Sequence, residues 1–166
     1  VMGLPENSLG EVQRVQVELF GSLAHTGHGH GTDLAILMGL CGEVPDSVDT
    51  SSIAQRVATI RRECRLTLLG QHEVSFDMAR DLLFNRTDEL PVHTNGMRFQ
   101  AWNADAELLD SRELYSVGGG FVVDADEHFV GSGRGTEVSV PFPFTTMSEP
   151  LELARKQNRF LTDLLY

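Results

Sequence analysis

Between Gly21 and Asp33 the chain reads Gly-Ser-Leu-Ala-His-Thr-Gly-His-Gly-His-Gly-Thr-Asp. This stretch holds three histidines (His25, His28, His30), four glycines (Gly21, Gly27, Gly29, Gly31) and three hydroxyl side chains (Ser22, Thr26, Thr32). Imidazole exchanges protons near neutral pH and also binds metals. Glycine permits close backbone approach and lets successive amide N–H groups converge on an anion such as a carboxylate. The spacing His-x-x-His-x-His invites a zinc site. It lacks a distant fourth ligand, and neighbouring ligands on one flexible loop define a coordination geometry poorly. A phosphate loop fits less well still, since no Gly-Lys-Ser/Thr ending follows. The plain alternative is a surface glycine loop with solvated histidines.

Two further segments carry polar chemistry. In Pro91-Val92-His93-Thr94-Asn95-Gly96-Met97, the Asn-Gly pair forms a turn. That turn either leads into a strand with His93 in solvent, or presents His93 and Asn95 as a proton-transfer group and a carboxamide with both donor and acceptor. In Tyr115-Ser116-Val117-Gly118-Gly119-Gly120-Phe121, three consecutive glycines interrupt a strand-like run and imply a bulge or a close backbone contact.

These segments need elements to hold them. Arg14 to Phe20 alternates Val15, Val17 and Leu19 with Arg14, Gln16 and Glu18, the pattern of a half-buried strand that runs into the glycine-rich loop. After that loop, Thr32 and Asp33 can cap a helix with Leu34, Leu37, Met38 and Cys41 at helical spacing, ended by Gly39 and Gly42. Asp49 or Thr50 predicts the next cap, before an apolar stripe of Ile53, Val57, Ile60 and Cys64. Arg61, Arg62 and Arg65 follow where the helix dipole favours cations. Leu66–Leu69 and Glu73–Phe76 flank Gly70-Gln71-His72 as a hairpin, and Asp77–Phe84 is expected to be a short helix. Met97, Phe99 and Ala101 mark a strand, 107–117 returns after a turn at 103–105, and 121–123 resumes. Residues 131–135 are a glycine-rich loop, Pro141 and Pro143 reduce 140–144 to an edge segment, and Leu151 to Tyr166 is expected to form a last helix. The fold class expected is α+β, a mixed β-sheet with helices packed on one side.

Composition bounds the function. The 166 residues fit one domain with a sizeable core. The 13 Lys and Arg against 24 Asp and Glu give a net charge of −11, so no basic stripe exists for nucleic acid. No run of about 18 apolar residues offers a membrane span. The start, Val-Met-Gly-Leu-Pro-Glu, lacks the features of a signal peptide. Two cysteines, Cys41 and Cys64, are too few for a disulfide scaffold and suggest the cytoplasm.

Four segments in order, 21–33, 40–49 (Leu-Cys-Gly-Glu-Val-Pro-Asp-Ser-Val-Asp), 93–99 and 115–121, resemble the β domain of bacterial iron–sulfur L-serine dehydratase, an N-terminal region of that enzyme. The likeness runs from about Val12 to Phe144. The resemblance implies an enzyme of amino-acid catabolism and gluconeogenesis that deaminates L-serine to pyruvate and ammonia. It implies a separate catalytic α domain as partner, holding a [4Fe–4S] cluster through three cysteines with one iron open to substrate. The two cysteines here lack cluster-type spacing, so no metal ligand is assigned to this chain and, alone, it is expected to be inactive. The family's Ser-Ser-Ser-His-Thr stretch is absent, so residues 1–11 are expected to be a lead-in with a clipped N-terminus, 12–150 the β domain, and 151–166 a C-terminal helix or linker toward the catalytic domain. The fold implied is similar to the allosteric substrate-binding domain of phosphoglycerate dehydrogenase.

Carried over by motif, His30 and Thr32 are the implied active-site contributors, with His30 moving a proton, and His93 and Asn95 lie on a loop that contacts substrate or the catalytic domain. Ser22, Gly27, Gly29, Gly31 and Asp33 are implied substrate- or effector-binding positions, although Asp33 is equally a helix cap. The family usually has lysine at the His28 position, which argues against His28 as an essential ligand. A homodimer is expected. The alternative is a stand-alone L-serine-sensing or dimerisation module with no catalysis of its own.

Overall fold

The computed structural model describes residues 6–125 and 148–157. The chain divides into two compact units, residues 1–131 and 132–166. In the first, β1 (Arg14–Phe20) lies at the centre of a mixed seven-stranded sheet. Helices α1 (Gly21–Thr26), α2 (Thr32–Leu40) and α3 (Ile53–Glu63) follow, then β2 (Arg65–Leu68), β3 (His72–Ser75), α4 (Met78–Asp81) and β4 (Leu82–Asn85). The meander β5 (Gly96–Trp102), β6 (Leu108–Gly118) and β7 (Phe121–Asp124) completes it. The fold is α+β, as the sequence pattern predicts. In the second unit, α5 (Ser148–Gln157) carries Glu149 in its first turn and Arg155 and Lys156 in its last, charges that complement the helix dipole. The expected loop at 131–135, the edge segment at 140–144 and the end of the tail helix lie outside the described residues.

Sheet order is β2-β3-β1-β5-β6-β7, with β4 also against β1. One edge of β1 is shared: Arg14 pairs with Ser75 of β3, and Val17 to Phe20 pair with β4, both parallel. The other edge pairs antiparallel with β5, and β5 with β6. Side chains alternate across a strand. Val15, Val17 and Leu19, opposite Ala101, Phe99 and Met97, therefore share one face and enter the main core with Leu37 of α2 and Val57 and Ile60 of α3. α2 is apolar nearly all round and is buried accordingly. The opposite face carries a polar ladder: Arg98 donates to Glu113 at 2.8 Å and to Glu18 at 3.5 Å.

Several local expectations are corrected. The stretch 21–31 is helical: α1, then a 3-10 turn over Gly27–His30. Glycine disfavours helix on its own, but Gly21, Ala24 and Gly27 recur every third residue and form a small buried stripe. A Cβ on Gly27 would lie 3.1 Å from the Phe84 ring and 3.6 Å from Leu19 Cδ1, so close packing on the sheet overrides propensity. The residue before α3 is Ser52; Asp49 instead accepts from the Ser51 N–H at 3.0 Å and turns the chain earlier. Cys64 leaves the apolar stripe, because it ends α3 in the left-handed region (φ 52°) and is exposed. Arg65 begins β2. The expected helix at 77–84 spans only Met78–Asp81, capped by Asp77 accepting from the Ala79 N–H, and Leu82–Phe84 join β4. The lead-in forms a 3-10 turn at Glu6–Glu11, with Leu9 packed on the core. The triple glycine makes the β6–β7 hairpin turn, with a register shift between Ser116 and Gly118.

The segment 40–49 is structural. Gly42 (φ 90°) sits so close to the β2–β3 turn that a Cβ would lie 2.9 Å from Leu69 Cα, and Leu69 N–H donates to Leu40 O at 2.8 Å. β3 runs parallel to β1 and meets it only at Arg14, so this turn lies beyond the start of β1. It is at the end of the sheet opposite His25, His28 and His30.

Candidate functional site

Strand directions decide which loops meet. β1 and β4 finish, β5 begins and β6 finishes at the same end of the sheet, because β4 is parallel to β1, β5 antiparallel to β1, and β6 antiparallel to β5. That end carries α1 and the 3-10 turn, the connection 86–95, and the 115–121 hairpin. These three segments are far apart in sequence.

Hydrogen bonds tie them together. Ser22 N–H donates to Thr94 O at 3.0 Å and Gly21 N–H to Asp88 O at 3.3 Å. Arg86 Nε donates to Ala24 O at 3.3 Å. Gly21 has φ 48°, and a Cβ there would run into the Thr94 carbonyl, so only glycine allows both the turn and the approach. On the other side, Ser116 N–H donates to Asn95 O at 3.0 Å, and Asn95 Nδ2 donates back to Ser116 O at 3.1 Å. All three polar segments picked out in the sequence thus meet at one end of the sheet.

Each candidate residue has a place. His93 is half-buried, and its Nδ1 accepts from Asn95 N–H at 3.0 Å. In the neutral ring this leaves the proton on Nε2, so His93 offers a donor to its surroundings. Asn95 spends a carboxamide N–H on Ser116 and its backbone N–H on His93. His30 is exposed at the end of the 3-10 turn and, among the described residues, has no hydrogen-bond partner. Thr32 opens α2, and Gly31 (φ 70°) joins it to the turn. Ser22 is exposed on α1. Gly27 rests on Phe84, and a Cβ on Gly29 would have nothing within 4 Å.

Asp33 is buried at 9 % exposure, one residue inside α2. Its Oδ1 accepts from Leu34 N–H at 3.0 Å, and its Oδ2 is 2.9 Å from His28 Nδ1. It therefore holds the His28 ring, while Gly31, not Thr32 or Asp33 as the sequence suggested, stands at the N-cap of α2.

Behind the site, Tyr115 is fully buried with Phe20, Leu90 and Val123, and its hydroxyl donates to Glu113 Oε2 at 3.1 Å. Burial, with the Glu113 carboxylate second, pushes the phenol above its ordinary value. From Glu113 the polar ladder passes through Arg98 and Glu18 to Asn85, whose Nδ2 donates to Glu18 at 3.1 Å and to Asp88 at 2.9 Å. Sequence reading missed Asn85 and Asp88. Asn85-Arg86-Thr87-Asp88 spells an Asx turn, and Asn85 Oδ1 accepts from the N–H groups of Thr87 and Asp88.

Among the described residues the donor set does not fit a cluster or metal centre. Cys41 is half-buried and Cys64 exposed, and among the described residues no three His, Cys, Asp or Glu side chains converge to hold a metal ion. No helix among the described residues is long and apolar enough to cross a membrane.

Comparison with known proteins adds independent findings. The family model described as serine dehydratase beta chain matches residues 3–127. L-serine dehydratase of Streptomyces coelicolor is 43 % identical over 162 residues, 96 % of this chain and 35 % of that protein. L-serine dehydratase 1 of Escherichia coli is 43 % identical over 157 residues, 94 % of this chain and 34 % of that protein. L-serine dehydratase of Helicobacter pylori strain J99 is 37 % identical over 163 residues, 98 % of this chain and 36 % of that protein. The chain spans about a third of the length of these curated relatives.

Proposed function

The chain belongs to the serine dehydratase beta chain family, and from that premise we propose that it is the β portion of an L-serine dehydratase that converts L-serine to pyruvate and ammonia. The remainder of the enzyme, which the length of the relatives leaves room for, is the catalytic α domain, and it carries the [4Fe–4S] cluster. A Lewis acid there would assist departure of the serine hydroxyl. The working compartment is the cytoplasm, and the assembled enzyme is a homodimer.

The contribution of this chain is imidazole and positioning. His30, unpaired within the described residues and exposed on its turn, takes the serine Cα proton as general base. Thr32 and Ser22 supply hydrogen-bonding support. His93, with Nδ1 occupied, presents its Nε2–H to the substrate carboxylate. Gly27, Gly29 and Gly31 let the backbone of the turn come close to the bound amino acid.

The observation that carries this reading is the joining of 21–33, 86–95 and 115–121 through the Ser22–Thr94 and Asn95–Ser116 bonds. A glycine–histidine segment that was a mere solvated loop would not be tied to the 86–95 connection, which is tied in turn to 115–121.

The test is a chimera in which this chain replaces the matching segment of the Streptomyces coelicolor relative, assayed for pyruvate. The expected result is an active chimera in which His30→Ala lowers kcat by about 10² or more. An undiminished kcat removes His30 from proton transfer. Calorimetry of the 166-residue chain with L-serine addresses the alternative, since millimolar or tighter binding by the chain alone marks a self-contained sensor.

A further inference from the structure

We propose that His28 is the positioning residue that sets the His30 turn, acting as a two-point clamp on Asp33 and Phe84. This rests on the reading of His30 as the proton-transfer group.

The turn Gly27–His30 is intrinsically loose. Glycines stand at 27, 29 and 31, and each carries a large backbone entropy cost when ordered. The bond closing the turn runs from Gly31 N–H to Gly27 O. His30 has no partner among the described residues, so its imidazole goes wherever the backbone of the turn puts it. His28, two residues earlier on the same turn, is the histidine that is held. Its Nδ1 lies 2.9 Å from Asp33 Oδ2. Its ring stacks on Phe84 at 4.0 Å between centroids with an interplanar angle of 19°. Both anchors are themselves fixed: Asp33 by the Leu34 N–H of α2, and Phe84 by pairing with Leu19 in the sheet. The clamp therefore ties the middle of the turn to the helix that follows it and to the sheet beneath it.

The exposures argue for positioning over packing. The His28 side chain is 62 % exposed and the Asp33 side chain 13 %. His28 adds little buried area, while Asp33 is a nearly buried carboxylate whose second oxygen is satisfied by His28. Losing the imidazole donor leaves that oxygen to seek another, and the turn between the two residues must shift to supply it. A displacement of about 1 Å in a proton-transfer group is enough to cost 10-fold to 100-fold in rate.

Three variants separate the two contacts. His28→Phe keeps the stack and loses the donor, His28→Asn keeps a donor that overlays Nδ1 and loses the stack, and His28→Ala loses both. In the chimera, the Ala variant is expected to lose about tenfold or more in kcat with KM within about twofold, and the Phe and Asn variants, each keeping one contact, to fall between it and the parent. In the 166-residue chain by itself, hydrogen exchange at 29–32 should speed up in the Phe and Ala variants by more than the accompanying fall in the urea midpoint accounts for. A fall in the urea midpoint with parental kcat would make His28 an ordinary packing residue, and parental kcat with parental exchange in His28→Phe would overturn the clamp. Should His30→Ala leave kcat unchanged, the proton-transfer reading fails, and the exchange experiment still decides whether the clamp exists.

Discussion

A single added methyl group at Gly21 tests how the site is joined. Gly21 has φ 48°, and its missing Cβ is where the Thr94 carbonyl lies. In Gly21→Ala the left-handed conformation costs about 1–2 kcal/mol. The collision also forces Thr94 away, which strains the Ser22–Thr94 and Gly21–Asp88 bonds of 3.0 and 3.3 Å; each backbone bond is worth about 0.5–1.5 kcal/mol net. The whole is about 2–5 kcal/mol, a large share of the roughly 5–15 kcal/mol that holds a domain folded. Gly29→Ala is the matched control. Gly29 has open space around its Cβ position and is not among the residues with positive φ, so its substitution should be neutral or stabilising by up to about 1 kcal/mol. Urea unfolding followed through the single tryptophan, Trp102, on which the Arg14 guanidinium stacks at 4.9 Å, reads both. Hydrogen exchange at Ser22 and across 86–95 should rise in Gly21→Ala only. If Gly21→Ala unfolds within 0.5 kcal/mol of the parent with unchanged exchange at Ser22, the joining of the three segments is wrong.

Other outcomes follow from single contacts. Asp81 is fully buried between Arg14 Nε at 2.7 Å and Arg80 Nη2 at 2.8 Å. Burial pushes this carboxyl up, but hydrogen bonds from Arg80, the Asp77 N–H and Arg14 together outweigh it and hold the group below the usual carboxylate range. Its stabilisation is thus present above the unfolded value of about 3.9 and is lost as pH falls through the lower folded value; Asp81→Asn should flatten that part of the acid-unfolding curve below about pH 4. At pH 7 the same variant should cost about 1–3 kcal/mol, less than a fully enclosed pair, because Arg14 and Arg80 stay 33 % and 52 % exposed. Leu37→Ala, at 0 % exposure in the middle of α2, should cost about 2–5 kcal/mol in urea unfolding. Tyr115→Phe removes the bond to Glu113 and should cost about 0.5–1.5 kcal/mol. A disulfide reagent at pH 8 should modify exposed Cys64 well before Cys41, whose thiol is pushed up by burial against the opposing pull of Arg56; equal rates would contradict the burial of Cys41.

The sequence by itself determined β1 and β5, whereas Leu82–Phe84, expected as helix, pair with β1 as part of β4. Val15, Val17 and Leu19 alternate with Arg14, Gln16 and Glu18 because a pleated chain sends successive side chains to opposite faces, so β1 was readable to the residue, and Met97, Phe99 and Ala101 marked β5 for the same reason. The residue types able to move a proton were equally plain, since chemistry belongs to the side chain. What the sequence could not supply was helix in a glycine-rich stretch. There the deciding term is how closely Gly21 approaches the Thr94 carbonyl and Gly27 the side chains of Phe84 and Leu19, and that term does not exist until the sheet does. The same holds for the bonding of the His93 loop to the start of α1 and for the pairing of His28 with Asp33. Strand direction and register, set by contacts among residues tens of positions apart, brought these groups to one end of the sheet, and no local pattern of residues encodes that.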